Sequence, residues 1–136
     1  MAFEVEVDRE NGRVRVVRGV AAVDSGEGVK PDGICNQVEG GILQSLSWTT
    51  FESLAFDTTR ILSRHWSSYP VLRLSSVPDS VEIHVIDRPD QPFLGSGEAS
   101  QGPVAACLAN VVADATGARI RELPLSPRRV KAAIGV

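Results

Sequence analysis

The segment FEVEVDRENGRVRVVRGVAAV, residues 3–23, decides how the fold begins. Apolar and charged residues alternate on both sides of Glu10-Asn11-Gly12, and Asn-Gly between two alternating runs is the strongest short signal for a β-hairpin. We therefore expect an antiparallel hairpin at the start of the domain. Because this hairpin begins at Phe3, we expect either that the domain starts on an unprotected strand or that the polypeptide was cut from something longer.

One helix and one further strand are expected in the middle of the chain. The run NQVEGGILQSLSWTTFESL carries apolar residues at close to helical spacing, which predicts a helix from about 36 to 53. Two adjacent glycines, Gly40 and Gly41, lie inside it, and each costs about 1 kcal/mol relative to alanine. This cost is tolerable if another segment packs tightly against that turn. The run SVEIHVIDRP alternates with period two and predicts a strand from about 80 to 87.

A second main helix is predicted over about 103–116, from the sequence GPVAACLANVVADATG. Pro103 suits a first helical turn, and Gly117 suits the position just after the end. This helix has hardly any polar face, so we expect it to be buried on nearly all sides. RIRELPLS predicts a short extended piece, and Pro127 begins a last short helix. The fold class is therefore α+β, an antiparallel or mixed sheet with two main helices.

Composition limits the class of protein. A chain of 136 residues is the size of one domain. Its net charge of −3 creates no positive electrostatic field that would attract a polyanion, so we expect no nucleic-acid partner. No apolar run approaches the roughly 20 residues of a membrane span, and no leader follows Met1, so a cytoplasmic location is the default expectation. Cys35 and Cys107 lack metal-site spacing and are expected to be buried thiols. We expect His65 and His84 to be structural or exposed.

The sequence GSGE places one carboxylate, Glu98, directly after Gly95-Ser96-Gly97 and before the second helix. Glycines allow another molecule to approach the backbone, so this position suits a reactive group better than an ordinary solvated glutamate. Two other interpretations stay open. The loop could cradle a phosphate at the helix amino terminus, or Glu98 could interact favourably with the helix dipole.

A second polar group next to glycines is Gln37, in NQVEGG. Its amide offers two donors and one acceptor, so at the start of a helix it could cap the helix or hold the polar head of a ligand. From the residues alone, the cap is the favoured interpretation. The serines have no evident His and Asp partners, so no hydrolase triad is predicted.

Three segments together resemble a known family. They are VDSGEGVKPDGICNQVEGGILQSLSW, YPVLRLSSVPDSVEIHVIDRPDQPFLGSGEAS and GPVAACLANVVADATGARIRELPLSPRRV. In order and spacing they resemble the carboxyl-terminal end of the large subunit of molybdenum hydroxylases, the xanthine dehydrogenase and aldehyde oxidase family. The isoquinoline oxidoreductase-like and aldehyde-oxidising branch is the most similar. The resemblance covers nearly the whole chain from Val14 onward.

The resemblance implies roles for three residues. Glu98 matches the family's glutamate beside the molybdenum, which acts as the active-site base and takes a proton from a hydroxyl ligand of the metal. Gln37 matches the glutamine that contacts the pterin cofactor, and Gly97 would let the backbone approach the metal centre closely. The pterin supplies sulfur ligands, so no metal ligand is expected from the protein itself.

The resemblance also implies a context for residues 1–136. They would be the carboxyl-terminal part of a molybdenum cofactor-binding domain in an enzyme that hydroxylates an aldehyde or an N-heterocycle with oxygen from water. The complete enzyme would carry a molybdenum-pterin cofactor in the cytosine dinucleotide form, and the isolated chain would retain none. Expected partners are the remainder of the large subunit and an iron–sulfur subunit, with self-association of the free chain. The alternative is a stand-alone domain without catalysis that acts as an interaction or assembly module.

Overall fold

The computed structural model describes residues 1–135 and shows an α+β fold, which confirms the predicted class. Three strands and three α-helices follow one another with one short 3-10 turn between them. In chain order they are β1 (Ala2–Val7), β2 (Val14–Val23), α1 (Pro31–Thr50), the 3-10 turn (Leu74–Ser76), β3 (Ser80–Val85), α2 (Gln101–Thr116) and α3 (Pro127–Ile134).

The three strands form one mixed sheet in the order β1-β2-β3. β1 and β2 are antiparallel, so the predicted hairpin is confirmed, and Gly12 in its turn has the positive φ of 76° that favours glycine. β3 pairs with β2 in parallel. A parallel pair needs a long crossover, and here the connection contains α1.

The core lies between the sheet and the two main helices. α1 contributes Val38, Ile42 and Leu46, and α2 contributes Val104, Leu108 and Val112; all six are buried. Both sets recur every four residues, which places each set on a single stripe of its helix. The two stripes meet, and they are joined in the core by buried side chains of the sheet and of the carboxyl-terminal segment: Val16, Ala21, Leu125 and Val130.

Several predicted boundaries were wrong. α1 begins at Pro31 rather than near 36, because proline fits the first helical turn, where its missing N–H has no partner to lose. α1 ends at Thr50 rather than 53, and β3 ends at Val85 rather than 87. α3 is confirmed: Ser126 caps it by accepting a hydrogen bond from the backbone N–H of Arg129.

The predicted burial of α2 on nearly all sides was also wrong. One stripe is buried, whereas Ala106, Asn110 and Asp114 are exposed. Small alanines leave no marked polar face, yet they tolerate water well, so composition did not reveal which side faces outward. Both cysteines are free, as expected, but they are half-buried rather than buried.

Several large apolar side chains are exposed in the segment between α1 and β3. Phe56 is 70% exposed, Trp66 75% and Leu74 88%. Local hydrogen bonds give this segment a defined shape: Leu62 N–H donates to the Ala55 carbonyl oxygen at 2.8 Å, for example. Among the described helices, none has both the length and the apolar character that a membrane crossing requires.

Candidate functional site

The segment from Gln91 to Ser100 leads from β3 towards α2, and the loop after β2 holds its first half. Leu94 N–H donates to the Ser25 carbonyl oxygen at 2.7 Å, and Glu27 N–H donates to the Gln91 carbonyl oxygen at 3.2 Å. Gly26 has a φ of 73°, and a side chain there would also overlap the backbone of the facing segment. Glycine is therefore required at this close approach.

Gln37 fixes the second half of the same segment. It lies in the second turn of α1, and its side-chain Nε2 donates to the backbone carbonyl oxygen of Gly97 at 2.7 Å. The interpretation of Gln37 as a helix cap was wrong, because α1 starts six residues earlier, at Pro31. The structure thus brings together two of the predicted site residues.

Ser100 makes a further contact with α1. It is only 7% exposed, and its hydroxyl oxygen occupies the space that a Cβ atom on Gly41 would need. Close packing against the glycine pair, the condition under which its cost is tolerable, is present at Gly41. It is absent at Gly40, because a Cβ there would meet no atom within 4 Å among the described residues.

Glu98 lies between these two points of attachment. Its side chain is exposed, and within residues 1–135 its carboxylate makes no hydrogen bond or ion pair. Its backbone carbonyl oxygen accepts the N–H of Gln101 at 3.0 Å, where α2 begins. The structure therefore presents a single free carboxylate on a segment that is fixed on both sides.

The neighbouring glycines leave this surface open. Gly95 and Gly97 do not have positive φ, and a Cβ on either would meet no atom within 4 Å. Neither backbone conformation nor packing within residues 1–135 requires glycine there. Their effect is to keep side chains away from the Glu98 backbone, so that another molecule can approach it.

The described residues contain no group of three or more His, Cys, Asp or Glu side chains that could hold a metal ion. A metal at this surface would need ligands from outside these residues, for example from a bound group. Within residues 1–135, Gln37 leaves one side-chain N–H and its side-chain carbonyl oxygen without a hydrogen bond, and Glu98 leaves both carboxylate oxygens without one. These polar atoms beside a bare backbone fit one side of such a group.

Comparisons with known proteins identify the family of the chain. Residues 1–78 match the family described as the molybdopterin cofactor-binding domain, and this match includes Gln37. The chain belongs to that family. The resemblance to the molybdopterin-binding subunits of molybdenum hydroxylases is thereby confirmed, and an oxidoreductase family is shown.

Individual relatives agree with this assignment of the molybdopterin-binding domain. One of the subunits of nicotinate dehydrogenase from Pseudomonas putida is 39% identical over 97% of the chain and 11% of its own length. The beta subunit of isoquinoline 1-oxidoreductase from Brevundimonas diminuta is 34% identical over 93% of the chain and 16% of its own length. The aldehyde oxidoreductase structure from Desulfovibrio gigas superposes with a TM-score of 0.84 and 28% identity, over 98% of the chain and 15% of that protein.

The chain therefore spans less than a fifth of the length of these relatives. Glu98 and Gly97 lie beyond the residues that match the family. Sequence reasoning missed Ser100 and Ser25 as residues that hold the Glu98 segment. The glycine pair in α1 was the only signal for the first contact, and Gly26 could have indicated the second.

Proposed function

We propose that the chain is the carboxyl-terminal part of the cofactor-binding domain in the large subunit of a molybdenum hydroxylase. In this proposal the enzyme oxidises an aldehyde or an N-heterocycle, with water as the source of oxygen. One observation carries it: the unpaired carboxylate of Glu98 is exposed on a segment that Gln37 and the backbone of α1 hold in place. The substrate class is supported by relatives whose names refer to nicotinate, isoquinoline and aldehydes.

Glu98 acts as a general base in this proposal. When bound, the molybdenum-pterin cofactor supplies the redox chemistry and the oxygen transfer. One carboxylate oxygen of Glu98 takes up the proton that the attacking oxygen releases, and the residue passes that proton to solvent before the next cycle. The open backbone at Gly97 allows the reacting groups to approach the carboxylate without a side chain in between.

Gln37 has two functions in the same proposal. One N–H holds the Gly97 carbonyl oxygen, and its remaining N–H and carbonyl oxygen bind the polar edge of the pterin. We propose the cytosine dinucleotide form of the cofactor, which the resemblance to the isoquinoline-like branch supports. Ligand sites usually bury most of the ligand, so one face formed by a loop and a helix is too little to retain this cofactor in the isolated chain.

The proposal requires further protein on at least one side of the domain. We propose that the remainder of the large subunit and an iron–sulfur subunit are the partners, and that electrons leave through the latter. The exposed side chains of Phe56, Trp66 and Leu74 support this, because apolar surface of that kind commonly marks a contact with other protein.

A single substitution in the complete enzyme tests the proposal. Glu98→Gln keeps size and hydrogen bonding but removes the base, so turnover per bound molybdenum should fall on the order of 10² to 10⁴-fold while molybdenum content stays unchanged. Glu10→Gln, an exposed change in the hairpin turn, is the matched control and should leave turnover intact. Near-normal turnover in Glu98→Gln would show that another residue is the base. A complete protein that carries no molybdenum would instead favour the alternative, a domain without catalysis that acts as an interaction or assembly module.

A further inference from the structure

We propose that Ser100 is a positioning residue for Glu98, and that it acts by occupying the space that Gly41 leaves open on α1. The contact itself is independent of the proposed function, whereas its consequence for turnover rests on Glu98 being the base. Three observations support the proposal: the burial of Ser100, the packing at Gly41 and the pattern of contacts along α1.

Ser100 is placed where a helix cap would be, but it does not act as one. It precedes the first residue of α2, yet its hydroxyl makes no capping hydrogen bond, and its backbone has the right-handed helical conformation rather than the extended one usual for a cap. It is nevertheless almost fully buried, since only 7% of it is exposed. Its burial therefore needs another reason.

Gly41 provides that reason. It is buried in the middle of α1 and does not have positive φ, so its backbone conformation does not demand glycine. A Cβ atom at Gly41 would overlap the Ser100 hydroxyl oxygen while staying 3.7 Å from Ser100 Cβ, an ordinary contact. Glycine inside a helix is destabilising relative to alanine. At position 41, glycine makes room for a close contact with Ser100, in the segment that carries Glu98.

Three contacts on one stripe of α1 hold the sequence around Glu98. Gln37 binds the Gly97 carbonyl oxygen, Gly41 accommodates Ser100, and Gln44 Oε1 accepts a hydrogen bond from Gln101 Nε2 at 3.0 Å. Positions 37, 41 and 44 of a helix lie on the same face. The backbone of Glu98 is therefore attached to one rigid element both before and after it.

This arrangement determines where the carboxylate can be. With Gly97 fixed and Ser100 buried, the backbone at Glu98 has little freedom, although its side chain is exposed. A catalytic group that moves by about 1 Å can lose on the order of 10²-fold in rate, because the reacting atoms are no longer aligned. Ser100 thus acts on turnover through Glu98 and need not contact the reacting atoms itself.

The test compares Gly41→Ala with the double variant Gly41→Ala/Ser100→Ala. The added methyl group displaces the Ser100 hydroxyl, whereas removing that hydroxyl leaves two Cβ atoms at an ordinary distance. In the 136-residue chain, ¹⁵N order parameters of the Gly97 and Glu98 amides should fall from about 0.85 to below about 0.6 in the single variant, and recover in the double variant. Gly40→Ala is the matched control and should leave these order parameters unchanged, since its Cβ faces open space.

Turnover of the complete enzyme supplies the second readout. Gly41→Ala should lower kcat by about 10-fold or more with KM and molybdenum content unchanged, and the double variant should restore it. Order parameters that stay high in Gly41→Ala, or that fail to recover in the double variant, would overturn the positioning role. Lost order with unchanged kcat would instead support the contact and count against Glu98 as the base, which separates this proposal from the proposed function.

Discussion

The side-chain amide of Gln37 donates a 2.7 Å hydrogen bond to the backbone carbonyl oxygen of Gly97, 60 positions further along the chain. This bond joins the second turn of α1 to the residue before Glu98. Both partners are exposed, so water competes for the same groups and the net stabilisation is modest. Its main effect is to fix the course of the segment that presents the carboxylate.

Removing the Gln37 amide should therefore affect local order more than stability. Gln37→Met keeps the length of the side chain but cannot donate, and we expect the free energy of unfolding to fall by about 1 kcal/mol or less. Urea denaturation measures this change. Gln91→Met is the matched control, because the described bonds of Gln91 involve only its backbone. A loss well above about 2 kcal/mol for Gln37→Met would show that the bond is structurally more important than its exposure suggests.

Leu108 should be among the most sensitive positions of the core. Leu108 lies on α2 and is fully buried in the core that α2 forms with α1 and the sheet. Leu108→Ala therefore leaves a cavity and should lower the free energy of unfolding by about 2–5 kcal/mol. Leu74→Ala is the control: that side chain is 88% exposed, and its removal should change stability by no more than about 0.5 kcal/mol. Equal effects at the two positions would contradict the described packing of α2.

Tyr69 should make stability depend on pH at the alkaline end. Its hydroxyl donates to Glu52 Oε2 at 2.7 Å, and this hydrogen bond, with some desolvation, raises the pKa of Tyr69. The folded pKa is above the unfolded value of about 10, so this contribution to stability is complete below about pH 10 and is lost as the pH rises through the folded pKa. The stability difference between the wild type and Tyr69→Phe should therefore shrink as the pH rises above about 10. Parallel pH profiles would contradict this hydrogen bond.

Cys107 should react slowly with alkylating reagents. Burial raises the pKa of its thiol, which is half-buried, and its Sγ donates weakly to the Met1 carbonyl oxygen at 3.5 Å. Because the thiolate is the reactive form, iodoacetamide at about pH 8 should modify Cys107 several-fold more slowly in the folded chain than in urea. The Cys35→Ser variant isolates this thiol, and mass spectrometry follows the reaction. Equal rates in both states would mean that the thiol is not shielded.

The free chain should expose apolar surface around Phe56 and Trp66. We expect it to bind a hydrophobic dye or to self-associate at high concentration, because these side chains are 70% and 75% exposed. Phe56→Ser/Trp66→Ser should reduce both effects, whereas Ala106→Ser on the exposed side of α2 should change neither. A monomer that binds no dye at high concentration would contradict this expectation.

The local elements could be predicted from the order of amino acids alone. Alternation around Asn11-Gly12 predicted the hairpin, and apolar spacing predicted α1. The apolar run between Pro103 and Gly117 predicted α2, and Pro127 predicted the start of α3. These predictions succeeded because a turn or an amphipathic period depends on residues close together in the chain. The three quoted segments also identified the family, since their order and spacing are more specific than any one motif.

Which distant groups meet was decided only by the folded chain. The sequence marked Gln37, Gly97 and Glu98 separately, but only the fold brings the first two together and buries Ser100 against Gly41. The fold likewise decided that the alanine-rich outer side of α2 is exposed. Such contacts depend on how α1 packs against α2 and on the path of the loop between β3 and α2. A local sequence period does not encode the packing of the helices or the path of the loop. The residues that determine both lie far apart in the chain and come into contact only when the core forms.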